Sequence, residues 1–385
     1  MYKRIATLLA PALFFAATVT AQQFPRGAEP PTPTAQLPES FVDQSSPLNT
    51  GSFATDFSRA TISYVDVVAG GPPKDGIPAV DRPRFTTIRD AREWIEDRES
   101  VFLVEVAGEA RIYPVQILMW HEIVNDTVGG LPLTITYCPL CNTGVTFVRR
   151  YDGRTLDFGV SGRLRFSNML MYDRQTESWW QQATGRAVAG EYAGGRLARY
   201  PMVMLGFEEA RSNWPAATVL SRNTGHNRAY GRNPYRGYDT SDRPFLYRGP
   251  TIDERFDPMT RVVMVEVEGE QAPFAYPDLA AEGFAQQQVG GKSIVLFFDP
   301  DTASPLDSDT VAGGRDVGTA NAFFARYQGG ELTFRSVRAA VYRDLETGSR
   351  WNAGGRAVSG ELTGTQLEPA ETVQHFWFSY VAFEE

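Results

Sequence analysis

The chain repeats itself, block after block in the same order. Val104-Glu105-Val106-Ala107-Gly108-Glu109 returns as Val265-Glu266-Val267-Glu268-Gly269-Glu270, Tyr113-Pro114 as Tyr276-Pro277, and Gly129-Gly130 as Gly290-Gly291. Tyr151-Asp152-Gly153 through Phe158 returns as Tyr327-Gln328-Gly329 through Phe334, and Gly185 to Glu191 as Gly355 to Glu361. Ordered recurrence with gaps only in loops implies one folding unit used twice. We place the copies at residues 61–235 and 252–385, joined by a connection rich in Gly, Arg, Asn, Tyr and Pro.

Most repeated blocks read as strands. Phe102–Val106, Leu133–Tyr137 and Val145–Val148 are β-branched and aromatic, and Tyr151-Asp152-Gly153 supplies a turn with a glycine suited to positive φ. Helical stretches are short: 87–97 with Thr86 or Thr87 as N-cap, 114–125 opening on Pro114, and 207–213 ended by Pro215. The fold class is therefore mainly β with short helices (α+β), as two tandem related β modules, sandwich- or barrel-like.

The N-terminus reads as an address. Lys3 and Arg4 precede an apolar run from Ile5 to Val19, and Val19-Thr20-Ala21 offers small residues for cleavage after Ala21. This is the pattern of a signal peptide over residues 1–21 and predicts a periplasmic or secreted protein. No later stretch has the roughly 20 apolar residues that a membrane-spanning helix needs. Residues 22–58, with Pro25, Pro30, Pro31, Pro33 and Pro38, read as a disordered linker. The formal net charge of −9 becomes −11 once Lys3 and Arg4 are removed (−9 − 2), which argues against a nucleic-acid partner.

A duplicated chain carries its own control, since residues kept in both copies are most simply structural. Cys138-Pro139-Leu140-Cys141 falls on Asp299-Pro300-Asp301-Thr302, His121 on Glu282, and Met119 on Ala280. Met169-Leu170-Met171 falls on Ala339-Ala340-Val341. Sulfur and imidazole vanish from the second copy together, as the parts of a single site would. Two cysteines at i and i+3 after a strand fit a metal knuckle, and Cys138, Cys141 and His121 suit a soft or borderline ion, copper or zinc. Met171, Met169 and Trp180 are possible further ligands or pocket lining, although alternation along a strand and a Trp179-Trp180 pair read equally as core. The rivals are a thiol–disulfide oxidoreductase using Cys138 and Cys141, a static small-loop disulfide, and a non-catalytic module binding a cell-envelope partner through a Trp-rich face. Asn142-Thr143-Gly144 reads as a turn, whereas a thioredoxin-type site places its first cysteine at a helix N-terminus. His226 and His375 lie outside any ligand-like spacing. Asp173-Arg174 reads as an ion pair holding a turn, reversed in Arg343-Asp344. Gly159-Val160-Ser161-Gly162 lacks the strand–elbow–helix context of a serine hydrolase.

Several motifs are long enough to carry a resemblance. Trp120 to Asp126, Thr136 to Gly144, Met171 to Gln182 and Tyr230 to Tyr235 resemble the signatures of the prokaryotic family named domain of unknown function 3179, closely over residues 78 to 270 and more loosely beyond. The resemblance implies an exported or membrane-associated protein and brings no established activity. His121, Cys138 and Cys141 fall on matching positions.

Overall fold

The computed structural model describes residues 50–384. The expected signal peptide and residues 22–49 of the expected linker lie outside the described residues. The remainder of that linker is not a tether. Phe53 and Phe57 set their rings edge-on against Trp179 at 5.1 and 4.9 Å, and Thr55 donates to the carbonyl of Glu177. A Pro-rich composition hid two aromatic anchors four residues apart.

The fold is mostly β with short helices. In the first copy, Ser100–Val106 pairs with Glu109–Pro114 and with Val203–Gly206. Leu131–Cys138 is flanked by Ile123–Val128 and Thr143–Val148. Phe158–Arg165, Asn168–Asp173, Trp179–Gln181 and Ala187–Ala189 follow as an antiparallel meander. The second copy repeats the plan. Arg261–Val267 lies between Glu270–Ala275 and Glu371–Phe376, and Lys292–Asp299 between Phe284–Val289 and Thr319–Phe324. Phe334–Arg338, Val341–Asp344, Arg350–Asn352 and Ala357–Ser359 form the second meander.

The copies are not separate cores. Val101, Leu103 and Leu205 share one apolar cluster with Val295, Phe297, Phe323 and Trp351. The side chain of Asn321 both accepts from the backbone N–H of Met204 and donates to its carbonyl, each at 2.8 Å. Every residue of Leu131–Cys138 is buried, which explains an apolar run that does not alternate. The second copy is more exposed: Arg335 to Arg338 face solvent.

Each expected helix exists, two of them shortened. The first covers Ile88–Ala91, with Thr87 accepting from the backbone N–H of Asp90. The second covers Val115–His121 and stops because Glu122 turns left-handed at φ 59°, after which Ile123 starts a strand. Phe207–Asn213 is as expected.

Strand registers correct three correspondences. Val263 pairs with Phe274 as Phe102 pairs with Tyr113, so Tyr113-Pro114 corresponds to Phe274-Ala275 rather than Tyr276-Pro277. Tyr342 pairs with Trp351 as Met171 pairs with Trp180, so Met171 corresponds to Tyr342. Asp173 corresponds to Asp344, in the same order and not reversed. Each aspartate accepts from an indole N–H, Trp180 at 2.9 Å or Trp351 at 2.8 Å, and from the hydroxyl of Thr176 or Thr347. Arg174 instead pairs with Asp75 and Asp81. Short apolar repeats slide past one another, whereas a buried hydrogen-bonding pair does not.

Gly129 and Gly290 are the firmest shared feature. Each has positive φ, 52° and 55°, and a Cβ there would lie 2.3 Å from the carbonyl oxygen of Val106 or 2.2 Å from that of Val267. Their N–H groups donate to Glu109 and Glu270. Gly129→Ala and Gly290→Ala should each destabilise by about 2 kcal/mol or more, read as a lower urea midpoint.

Candidate functional site

The two thiols sit where the Leu131–Cys138 strand turns back into Thr143–Val148. Pro139–Cys141 forms one turn of 3-10 helix, with Pro139 at a position whose N–H would have no helical partner. Asn142 closes it at φ 51°, a conformation Asn tolerates better than most residues. Positions i and i+3 eclipse in such a turn, which brings the two side chains to one side of it; the Cys138 sulfur lies 3.9 Å from the Ser167 carbonyl and the Cys141 sulfur 3.7 Å from the Cys138 carbonyl. They are free thiols, not a static bridge, and both are sealed, 1% and 0% exposed.

Their surroundings are polar. The amide of Asn168 donates to the Cys141 sulfur at 2.9 Å and to the side-chain oxygen of Gln182 at 2.7 Å. Gln182 donates to the Thr136 hydroxyl and the Thr143 carbonyl. Burial pushes both thiols up. At Cys141 this is overcome by hydrogen bonds from Cys138, Thr143 and Asn168, which hold it below the usual thiol value. Cys138 stays well above its usual value because of burial and the neighbouring negative charge of Cys141. The two sulfurs thus differ in surroundings, which favour ionisation at Cys141 and oppose it at Cys138.

Glu122 is the residue that the sequence reading passed over. It is buried, left-handed where the second copy has Gly283, and its carboxylate has the Tyr235 hydroxyl at 3.5 Å as partner. Burial, then the charge of Cys141, pushes it up to about 8. A buried carboxyl at a cap where glycine is the easy choice is costly twice over. The signal in the sequence was Glu122 standing against Gly283, read one residue late from His121.

His121 is placed differently from the expectation. Its Nδ1 bonds to the carbonyl of Pro78 at 2.7 Å and its Nε2 to the Tyr230 hydroxyl at 2.6 Å, so both nitrogens are engaged by other groups. Burial pushes it down to about 4. Among the described residues no group of three or more His, Cys, Asp or Glu side chains is placed to hold a metal ion. Met169 and Met171 are buried in the same cluster as the cysteines. Trp180 is enclosed by Tyr151, Phe158 and Tyr192, with its N–H engaged by Asp173, and so lines no open pocket. His375, reached from the second copy, is buried beside Thr143 and held to Ser379 at 3.0 Å; burial, then Arg199, pushes it down to about 3.

The second copy has lost the whole set. Glu122, Tyr137 and Cys138 correspond to Gly283, Phe298 and Asp299 by the shared registers. Its meander hairpin closes early, at Ala339-Ala340, just before the Val341 that pairs with Asn352 as Leu170 pairs with Gln181, so it has no counterpart of Asn168. The Asp–Trp pair survives in both copies, and the thiol surroundings survive in one.

The end of the first copy and the connection that follows it form the cover. Tyr238 donates to the Leu140 carbonyl at 2.7 Å, Tyr235 reaches Glu122, and the Ser167 hydroxyl donates to the Phe245 carbonyl. A cleft of about 1180 Å³ between the copies, lined by Arg199, Trp214, Glu266, Lys292, Phe323 and Glu371, includes neither cysteine.

The family model described as Protein of unknown function (DUF3179) matches residues 74–385. The chain belongs to this family. Of the described residues the match leaves out only those before Lys74, and it runs to the end of the chain. No curated protein and no solved structure matches the chain. No described helix is long and apolar enough to cross a membrane.

The raised carboxyl makes stability depend on pH. Unfolded, Glu122 ionises near 4.5; folded, it keeps its proton to about 8. Above 4.5 the unfolded chain releases a proton that the folded one retains, so this group's contribution is full below 4.5 and falls until about pH 8. The loss is on the order of 5 kcal/mol. Glu122→Gln should remove it, so unfolding free energies of variant and wild type should diverge between about pH 5 and about pH 8.5.

Proposed function

We propose that the chain is an exported thiol–disulfide protein whose reacting pair is Cys138 and Cys141. The observation that carries this reading is the pair of unbonded sulfurs in one turn, with the Asn168 amide donating to the Cys141 sulfur at 2.9 Å. The thiolate is the nucleophile in disulfide exchange. In the proposed reaction the co-reactant is a disulfide-bearing molecule. The Cys141 sulfur attacks one of its sulfurs; a mixed disulfide forms and the partner's S–S bond breaks, releasing a thiolate. Cys138 then gives up its proton and attacks the Cys141 sulfur, forming the Cys138–Cys141 bond and expelling the second partner thiolate. The chain's dithiol is oxidised by two electrons and the partner disulfide is reduced by two. The Cys138 proton leaves to solvent once the cover over the pair has opened.

Sealed thiols react only when their cover moves, and the cover is the irregular segment carrying Tyr235, Tyr238 and Phe245. Local opening of such a segment takes less free energy than global unfolding.

Equilibration in glutathione and dithiothreitol buffers, followed by alkylation and mass measurement, tests the reading. The expected result is reversible loss of two alkylatable thiols with one midpoint, abolished in Cys138→Ser and Cys141→Ser. A pair that never oxidises, or never reduces, sinks it. Two adjacent sulfurs also suit a soft ion such as Cu(I). Stoichiometric copper or zinc in anaerobically purified protein, absent from Cys138→Ser, would move the function to metal binding. Thiols that neither cycle nor hold metal would leave a non-catalytic envelope-binding module. Tyr238→Phe, which removes one hydrogen bond from the cover, should speed alkylation of the reduced thiols about five-fold.

A further inference from the structure

The end of the first copy and the connection that follows it differ in charge from the rest of the chain. Residues 221–250 contain six Arg (222, 228, 232, 236, 243, 248) against two Asp (239, 242), a local excess of four positive charges in a chain of net −9. Its outermost part is Asp242-Arg243-Pro244-Phe245-Leu246-Tyr247-Arg248. Phe245 and Leu246 are 48% and 36% exposed, adjacent large apolar side chains turned to solvent. Arg243 and Arg248 on either side are exposed, and neither forms an ion pair with the described residues.

The tip is held in place. The N–H of Phe245 donates to the Tyr238 hydroxyl and its carbonyl accepts from Ser167. Leu246 is left-handed at φ 52°, an unfavourable conformation for a leucine, and is 36% exposed there. Tyr247 closes the loop by donating to Pro250 at 2.7 Å and packs its ring against Phe378. An apolar pair fixed outward between two arginines is therefore a constructed feature and not a frayed loop.

We propose that the tip at residues 243–248 docks on an anionic lipid surface, with Phe245 and Leu246 entering the acyl boundary and Arg243 and Arg248 meeting acidic headgroups. The argument against a protein partner is one of area. A specific protein interface needs about 800 Å² on each side, and two partly exposed side chains supply only a small part of that. Shallow insertion needs no complementary shape, only apolar tips and uncompensated positive charge. Asp242, also exposed, opposes the attraction and leaves the excess positive.

The test follows the tip itself in the full chain, so that adhesion of the apolar N-terminal run does not count. Leu246→Trp supplies a reporter, read as the emission gained over wild type. With vesicles of phosphatidylglycerol carrying brominated acyl chains, the added emission should be quenched at least five-fold more than with brominated phosphatidylcholine. Arg243→Gln/Arg248→Gln in the reporter chain should abolish the difference, and so should salt. No quenching, equal quenching by both lipids, or quenching that survives loss of both arginines would overturn the proposal. Saturable binding of an acidic protein with the reporter still unquenched by vesicles would overturn it in favour of a protein partner. The outcome is independent of the thiol chemistry, which is read separately by alkylation.

Discussion

The structure depends on apolar burial shared across the duplication. Val373, Phe376, Trp377 and Phe378 of the second copy enter the same cluster as Cys138, Cys141, Ile135 and Phe147 of the first. A sheet with apolar residues on both faces must be covered on both, and here one cover comes from the chain's own repeat. The thiols belong to a core to which the second copy contributes, beneath the cover formed by Tyr235, Tyr238 and Phe245. Removing the copies from each other would expose apolar surface on both.

Within that shared core the two halves divide the work. The meander's Asp–Trp hydrogen bond, the double-glycine turn and its glutamate are kept in both, because they hold strands in register. Glu122, Tyr137, Cys138 and Asn168 are present in one only. Burying a carboxyl, two thiols and an amide is destabilising unless each is matched, and the first copy matches them to one another. The second copy replaces them with Gly283, Phe298, Asp299 and a shorter hairpin. The polar set is held together by mutual dependence: without the thiols, an aimed Asn168 amide would be a buried donor lacking its acceptor.

Much of the fold was legible in the residues. The strands at 102–106, 133–137 and 145–148, the Tyr151-Asp152-Gly153 turn and the helix at 207–213 follow from β-branching, turn chemistry and capping, which act locally. Helix ends were less so, because Glu122 stops its helix in a backbone conformation that composition does not announce. The two cysteines stood out as residues found in one copy only. His121 stood out by the same test, but its orientation is set by Pro78 and Tyr230, 43 and 109 residues away in sequence. Its nitrogens' partners could not be read from spacing. His375 was invisible for the same reason, since only the fold brings it to Thr143. Phe53 and Phe57 were masked by the prolines around them, where two aromatic rings outweigh a disordering composition.

The double-glycine turn also bears on how such a chain can change over time. A position where even a methyl group would collide with a carbonyl is closed to drift in both halves, while Arg335 to Arg338 face water and are free to vary. With no buried thiols or polar partners to match, the second half answers to shape, so its sequence can wander in chemistry while its outline stays fixed by the apolar core the two halves share.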